Sequence, residues 1–245
     1  MQSSHPVFDG TSNLRDLGGM PAGAGSRVRR GHVYRSAHLD DLTAEGRRAL
    51  REAGINLIVD FRGVDEAARA QADTARDRLH VPIEPTIVGE LQAMLETGDA
   101  TSESVHRVME GAYRRFVIEQ AETYRRYFSR LLEPDAFGFL IHCTAGKDRT
   151  GIGIALLLSL LGTDYTDIER DYLLSNSMLR RDPSATSALP QALVDVLYGV
   201  DARYLAAAFA AIREAYGDTD RYLGEAMGLG PEERRYLREE LTEPV

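Results

Sequence analysis

Short apolar runs and longer amphipathic stretches alternate along the first two thirds of the chain, and the last third is amphipathic throughout. The runs 33–35, 55–60 and 137–142 are short and contain β-branched or aromatic residues, which is typical of buried strands. Strands that alternate with helices usually form a parallel sheet covered by those helices. We therefore expect an α/β fold, with a central, mostly parallel sheet flanked by helices and a helical C-terminal third.

Helix boundaries can be read from apolar spacing and from the residues at each end. Segment 42–53 has helical spacing, with Thr43 in the N-cap position and Gly54 just beyond its end. The same spacing predicts helices over 63–79, 87–132 with a break at 98–102, 150–161, 167–179, 189–196, 202–216, 220–227 and 231–241. Residues 80–83 are predicted to be extended. Neither an internal repeat nor a Pro/Ser-rich linker interrupts the sequence, so we expect one domain over 1–245.

Bulk properties exclude several classes of partner and site. The formal charge of −9 argues against nucleic acid or an anionic membrane as the main partner. The longest apolar run, 152–161, is too short to span a bilayer. The N-terminus lacks a basic segment followed by an apolar stretch, so we expect a cytoplasmic protein, with export by a route without a cleavable signal left open.

The chain has one cysteine, Cys143, and therefore no intramolecular disulfide and no cysteine-rich zinc site. The histidines outside its immediate neighbourhood show no ligand spacing, and we predict neither a metal nor a cofactor. Lys147 is the only lysine among 29 basic residues. Its position four residues after the cysteine indicates that an ammonium group is required there.

Residues 142–150, His-Cys-Thr-Ala-Gly-Lys-Asp-Arg-Thr, lie directly between an apolar strand and an apolar helix. Five residues separate Cys143 from Arg149, a length that lets a loop curl with its backbone N–H groups directed at one anion. Gly146 permits the bend, and the helix that follows presents its positive N-terminus to the same point. The pattern predicts a phosphate-binding loop formed by Thr144, Ala145, Gly146, Lys147, Asp148 and Arg149.

The same field stabilises a thiolate at Cys143, which is a strong nucleophile at neutral pH and needs no separate base. Arg149 can hold two phosphoryl oxygens in its planar fork. Thr150 can hydrogen-bond the sulfur as it leaves during hydrolysis of a phosphocysteine. These residue types at this spacing indicate a cysteine-dependent phosphatase.

The leaving oxygen needs a proton from a general acid. Asp148, within the loop, is the first candidate, and Asp60, at the end of the 55–60 strand, is the second. Two roles are open for Lys147: contact with a second anionic group on the substrate, or pairing with Asp60 to steady the loop. His142 is expected to support the thiolate through a hydrogen bond to the loop backbone.

The loop and several other blocks resemble the bacterial atypical protein tyrosine phosphatases that carry an HCxxGKDRTG loop. The blocks that carry the resemblance are 13–19, 34–37, 60–62 with Glu66, 171–176 and 216–217. The resemblance implies the cysteine-phosphatase fold and hydrolysis of phosphotyrosine, often with phosphoserine, phosphothreonine or phosphoinositides as further substrates. The expected partner is thus a phosphorylated protein or a phosphoinositide.

The resemblance also bears on individual segments. The family's loop Lys and Asp, here Lys147 and Asp148, set it apart from phosphatases with an acid on a Trp-Pro-Asp loop, and this chain has no Trp. Residues 84–111 resemble the family's helical lid, with an ordinary surface hairpin as the alternative. Asp16 is expected either to support the site or to stabilise a local turn.

Two rival functions are weighed against hydrolysis. A pseudophosphatase that only binds phosphorylated partners predicts a missing Cys, Arg or acid, and Cys143, Arg149 and Asp148 are all present. A sulfurtransferase or an arsenate reductase also uses a cysteine in an anion loop. Neither of these enzymes requires Lys147 and Asp148 ahead of Arg149-Thr150.

Overall fold

A five-stranded sheet lies at the centre of the computed structural model, which describes residues 8–68, 77–85, 87–98, 100–180 and 190–245. Its strands are β1 (Arg15–Asp16), β4 (Val33–Ser36), β5 (Leu57–Asp60), β6 (Asp77–His80) and β7 (Phe139–His142), in the spatial order β1-β4-β7-β5-β6. Strands β4, β7, β5 and β6 are mutually parallel, and β1 is antiparallel to β4. The expected mostly parallel sheet is confirmed.

The strand registers bring three carboxyl ends together. Ser36 of β4 and Asp60 of β5 both pair with His142, the last residue of β7. All four residues of each of these strands are buried, as expected for a sheet covered on both faces. Because β7 lies in the middle, the loop that follows it opens between the ends of its two neighbours, where α/β proteins bind ligands.

A second sheet, which is antiparallel, was not predicted from the sequence. It consists of β2 (Pro21–Ala22), β3 (Ser26–Val28) and β8 (Thr242–Pro244), in that order. Its strands are two or three residues long, too short for period-two alternation to be visible in the sequence. The sheet joins the last described residues of the chain to its N-terminal part.

Eleven α-helices occur within the described residues. They are α1 (Ala44–Glu52), α2 (Val64–Ala68), α3 (Ile87–Thr97), α4 (Ser102–Glu119), α5 (Ala121–Leu131), α6 (Asp148–Leu160), α7 (Tyr165–Met178), α8 (Gln191–Tyr198), α9 (Ala202–Tyr216), α10 (Thr219–Glu225) and α11 (Pro231–Leu241). None of the helices in this part of the chain is both long enough and apolar enough to cross a membrane.

The ends of α1 follow the predicted signals. Thr43 Oγ1 accepts a hydrogen bond from the N–H of Gly46 at 3.0 Å, and Gly54 adopts a φ of +72° just beyond the helix. The helix predicted over 63–79 is wrong at its C-terminal end. Helix α2 is described to Ala68, residues 77–80 form β6, and residues 69–76 lie outside the described part of the chain.

The predicted lid, 84–111, comprises α3 and the first half of α4. Val105 and Met109 of α4 are buried in the hydrophobic core, so this half of the segment is part of the packed body of the protein. Most described side chains of α3 are exposed, although Ile87 and Leu91 pack against the core. A lid role is therefore restricted to α3, for which it stays a prediction.

Candidate active site

The loop after β7 connects the central strand to the long buried helix α6. Cys143 follows His142 directly and is 2% exposed, and the helix begins at Asp148, two residues earlier than predicted. Residues 149–158 of this helix are all buried. The apolar strand and helix on either side of the loop thus fix both of its ends in the core.

The carbonyl groups of residues 143–147 all accept hydrogen bonds from the surrounding protein. The carbonyl of Cys143 accepts from the ring Nδ1 of His142 at 3.1 Å, and that of Thr144 accepts from the N–H of His38 at 3.0 Å. Asn13 Nδ2 donates to the carbonyls of Ala145 at 3.1 Å and Gly146 at 2.9 Å. Arg35 Nη2 donates to those of Gly146 at 2.6 Å and Lys147 at 3.5 Å. In a trans peptide the C=O group and the N–H group of the next residue point in opposite directions, and none of the peptide bonds in this loop is cis.

The N–H groups of residues 144–148 consequently point away from these donors. None of them donates a hydrogen bond to any described residue. A row of unpaired N–H groups that continues into a helix N-terminus is a binding surface for an anion. The loop therefore presents its unpaired N–H groups away from the bonded carbonyls, and its role as a phosphate cradle stays a prediction.

Gly146 occupies the tightest point of the loop. Its φ is +65°, and a Cβ at this position would lie 2.0 Å from the backbone oxygen of Ser36. Both the backbone conformation and the space exclude a side chain. The glycine therefore lets the loop pack directly on the end of β4.

A buried network behind the loop supports the groups that hold it. Asp171 of α7 accepts hydrogen bonds from Arg15 Nε at 2.6 Å and from Arg35 Nη1 at 2.7 Å. Burial by itself would raise the pKa of Asp171, but the two guanidinium groups outweigh burial and lower it. Arg15 in turn donates to Asn13 Oδ1 at 2.6 Å, which orients the Asn13 amide toward the loop carbonyls.

Sequence reasoning did not assign roles to Asn13, Arg35 or Asp171. They occur only within the blocks of the family resemblance, because no local pattern links residues that lie more than 100 positions apart along the chain. The structural feature that identifies them is burial, since Arg35 is fully buried and Asn13 and Asp171 are nearly so. Polar side chains at such positions are expected to be hydrogen-bonded to one another or to the backbone.

Arg149 is held in place by Glu66. The guanidinium donates to the two carboxylate oxygens of Glu66 at 2.5 and 3.0 Å, and also to the carbonyl of Ile83 at 3.0 Å. Thr144 Oγ1 donates to the same carboxylate at 2.5 Å. Burial would raise the pKa of Glu66, but the hydrogen bonds from Arg149 and Thr144 outweigh it and lower the pKa to about 2.

Asp148 and Lys147 face different partners. Asp148 Oδ1 accepts a hydrogen bond from the hydroxyl of Tyr113 at 2.6 Å, and its Oδ2 lies 3.4 Å from Lys147 Nζ. The same ammonium donates to the carbonyls of Leu197 and Gly199, both at 2.9 Å, at the end of α8. Lys147 therefore ties the loop to α8, and pairing with Asp60, one of the two roles that the sequence leaves open, does not occur among these contacts.

Asp60, the second candidate for the acid, is fully buried and paired with Arg62 and Arg78. Burial would raise its pKa, but the hydrogen bonds and charge of Arg62 outweigh burial and lower it. Asp60 is consequently an ionised partner of two arginines, with no proton to donate near neutral pH.

Three further predicted residues have defined environments. His142 is buried, which lowers its pKa, and its ring bonds the Cys143 carbonyl as the sequence predicts. Asp16 accepts hydrogen bonds from the N–H groups of Gly18 and Gly31 at 2.8 and 2.9 Å, so it stabilises a turn and none of its bonds reaches the loop. Thr150 Oγ1 is buried and has no hydrogen-bond partner among the described residues.

Comparison with known proteins gives consistent matches along almost the whole chain. The model of the tyrosine phosphatase family matches residues 6–243. A protein of Cupriavidus necator, named by inference as a tyrosine-protein phosphatase, is 33% identical over 239 residues, covering 93% of this chain and 86% of that protein.

Two other relatives carry related names. The triple specificity protein phosphatase PtpB of Mycobacterium tuberculosis is 30% identical over 259 residues, covering 89% of this chain and 92% of that protein. A tyrosine-protein phosphatase of Nostoc commune is 31% identical over 222 residues, covering 83% of this chain and 72% of that protein.

Proposed function

The chain belongs to the tyrosine phosphatase family, and on that premise we propose that it hydrolyses phosphotyrosine through a phosphocysteine intermediate on Cys143. One observation carries the proposal: the carbonyls of 143–147 are all bonded to the protein, so the unpaired N–H groups of the loop are directed to the opposite side. Donors fixed in this way stabilise phosphoryl charge without reorganising during the reaction.

The first chemical step transfers the phosphoryl group to sulfur. The thiolate of Cys143 donates an electron pair to phosphorus, while the bond between phosphorus and the tyrosine oxygen breaks. The loop N–H groups and Arg149 hold the equatorial oxygens, whose charge must be balanced throughout the transfer. Nη1 and Nη2 of Arg149 both donate to Glu66, which fixes the orientation of the guanidinium before the substrate arrives.

The leaving oxygen takes the proton of Asp148, since Asp60 is committed to Arg62 and Arg78 as a carboxylate. In the second step the Asp148 carboxylate accepts a proton from water, which attacks phosphorus as the sulfur–phosphorus bond breaks. The sulfur leaves as a thiolate. The unpaired hydroxyl of Thr150 is the donor that we assign to this developing charge.

Substrate choice follows from the position of Lys147. In the structure its ammonium donates to two carbonyls at the end of α8 and is not presented as a free cation for a second phosphate group. We therefore expect a phosphorylated protein with phosphotyrosine as the preferred substrate, ahead of phosphoserine, phosphothreonine and phosphoinositides. The name of the mycobacterial relative makes the wider set of substrates the alternative.

Two sequence predictions enter the proposal unchanged. We expect the reaction to occur in the cytoplasm, with export by a route without a cleavable signal left open, and we expect residues 1–245 to act as one domain. A continuous hydrophobic cluster that contains both Leu17 and Leu241 supports the second expectation.

The proposal is tested by steady-state kinetics on p-nitrophenyl phosphate, a phosphotyrosine peptide, a phosphoserine peptide and a phosphoinositide. We expect turnover that is abolished in Cys143→Ser and highest kcat/KM on the phosphotyrosine peptide. Phosphate binding without turnover would support the pseudophosphatase, and faster sulfur transfer or arsenate reduction would support the other thiol enzymes.

A separate comparison identifies the acid. Asp148→Asn is expected to lower kcat/KM, which reports the step in which the leaving group departs, more for the phosphotyrosine peptide than for p-nitrophenyl phosphate, because the better leaving group depends less on protonation. Equal losses on the two substrates would exclude Asp148 as the acid.

A further inference from the structure

The general-acid candidate Asp148 has a partner on a helix distant from the loop in sequence. Tyr113 lies in the middle of α4, is fully buried, and donates its hydroxyl hydrogen to Asp148 Oδ1 at 2.6 Å. The oxygen of the same hydroxyl lies 2.7 Å from the hydroxyl oxygen of Tyr172 on α7. Three polar groups from three helices therefore form a chain that ends at the carboxyl group of Asp148.

Hydrogen counting fixes the direction of this chain. A phenol has one hydrogen to donate. Because the hydrogen of Tyr113 is used toward Asp148, the bond between the two tyrosines takes its hydrogen from Tyr172. Successive bonds in one direction strengthen each other, so Tyr172 makes the Tyr113 hydroxyl a better donor to the carboxylate.

The surroundings keep both phenols in the donor form and in one position. Burial raises the pKa of Tyr113 and of Tyr172 well above the ordinary value, and the charge of Asp148 adds to the increase. The ring of Tyr113 packs against Tyr172, Tyr204 and Phe116 at centroid distances of 6.1, 5.5 and 5.7 Å. A ring enclosed in this way has little freedom to move its hydroxyl away from Asp148.

We propose that Tyr113, supported by Tyr172, is a positioning residue for the acid and base steps of Asp148. With Oδ1 bonded to Tyr113, the proton that passes to the leaving group is assigned to the other oxygen, Oδ2, which lies 3.4 Å from Lys147 Nζ. As that proton leaves, Asp148 becomes a carboxylate and its hydrogen bond from Tyr113 becomes stronger, because bonds to charged acceptors are about twice as strong as neutral ones. The phenol thus favours the transition state over the ground state.

The inference rests on the proposed function and predicts a dependence on the leaving group. Tyr113→Phe is expected to lower kcat/KM for a phosphotyrosine peptide about tenfold, because kcat/KM reports the phosphoryl transfer to Cys143, in which the leaving group departs. The loss on p-nitrophenyl phosphate should be less than about twofold, because its better leaving group needs less protonation. A general disturbance of the fold would lower both rates equally.

The chain offers a matched control for the loss of a buried hydroxyl. Tyr127 on α5 is also fully buried, and its hydroxyl has no hydrogen-bond partner among the described residues. Tyr127→Phe is therefore expected to leave both rates unchanged. Tyr172→Phe removes only the outer bond and should lower the rate on the phosphotyrosine peptide by about twofold to threefold.

A double-mutant cycle gives the decisive comparison. In an Asp148→Asn background, Tyr113→Phe is expected to cause no further loss on the phosphotyrosine peptide, because the group that it positions is no longer an acid. Losses that multiply, equal losses on both substrates, or a Tyr113→Phe enzyme indistinguishable from Tyr127→Phe would each overturn the inference. If Tyr113→Phe does not fold, Tyr172→Phe in the same cycle decides the matter.

Failure of this inference is distinguishable from failure of the proposed function. If p-nitrophenyl phosphate is hydrolysed in a manner that depends on Cys143 while Tyr113→Phe has no selective effect, only the role of Tyr113 is wrong. If wild type shows no Cys143-dependent hydrolysis, the proposed function itself is wrong.

Discussion

Substitution of Gly146 by alanine tests whether the shape of the loop, and not only its composition, produces the phosphate site. The added Cβ would lie 2.0 Å from the backbone oxygen of Ser36, whereas Cβ atoms essentially never approach another heavy atom closer than 3.0 Å. The loop must therefore move by roughly 1 Å or more to accept the methyl group. Because the clash is with backbone, no side-chain rotation can relieve it.

The expected magnitude follows from two separate effects. A φ of +65° costs an alanine about 1–2 kcal/mol, and the clash adds about 1–3 kcal/mol of overpacking. A displacement of about 1 Å in a catalytic group lowers the rate about 100-fold. We expect Gly146→Ala to remain folded with reduced stability, and to lose about 100-fold in kcat/KM on a phosphotyrosine peptide together with most of its affinity for vanadate.

Gly25 provides the control for backbone strain. Its φ is +71°, but a Cβ at this position has nothing within 4 Å. Gly25→Ala should therefore show the strain cost in urea unfolding while kcat/KM and vanadate affinity, measured by calorimetry, stay at wild-type values. If Gly146→Ala keeps kcat/KM and vanadate affinity within about threefold of Gly25→Ala, the argument from loop shape is refuted.

Two further predictions concern the charges around the loop. Asp171→Asn leaves Arg15 and Arg35 buried without their counter-charge, and we expect about 3–5 kcal/mol of destabilisation in urea unfolding; a loss under about 1 kcal/mol would contradict this. The pKa of Glu66 is lowered from 4.5 to about 2, so its stabilisation is complete above pH 4.5 and is lost as the pH falls toward 2. Glu66→Gln should therefore be less stable than wild type at pH 7, with a difference that shrinks below pH 4.5; a constant difference would show that the pairing with Arg149 is not the cause.

Features that are local in the sequence were predictable from it. The strand 139–142, the cysteine loop and the helix from Asp148 follow one another without interruption, so apolar patterning on both sides identified the loop and its place at the edge of the sheet. The N-cap at Thr43 and the glycine after α1 are similarly local. Because the helix N-terminus and the free N–H groups belong to the same segment, the chemistry of Cys143 and Arg149 could be predicted with them.

Features that depend on distant residues were not predictable in this way. The hydrogen bonds of Asn13 to the loop and of Tyr113 to Asp148 join segments that are 133 and 35 residues apart. Asp60 illustrates the same limit: at the end of a strand it is a reasonable acid, and its ion pairs with Arg62 and with Arg78 of the neighbouring strand become visible only in the fold. The predicted helix over 63–79 extended too far because the pairing of 77–80 with β5 decides its conformation.

The most direct test of the central claim is the chemical identity of the phosphorylated intermediate. Enzyme mixed with a phosphotyrosine substrate, quenched within milliseconds and digested should yield the peptide that contains Cys143 with one added phosphoryl group, formed and lost at rates that account for turnover. The adduct should be missing from that peptide in unreacted enzyme. A phosphoryl group on another residue, or turnover in which Cys143 is never modified, would contradict the account.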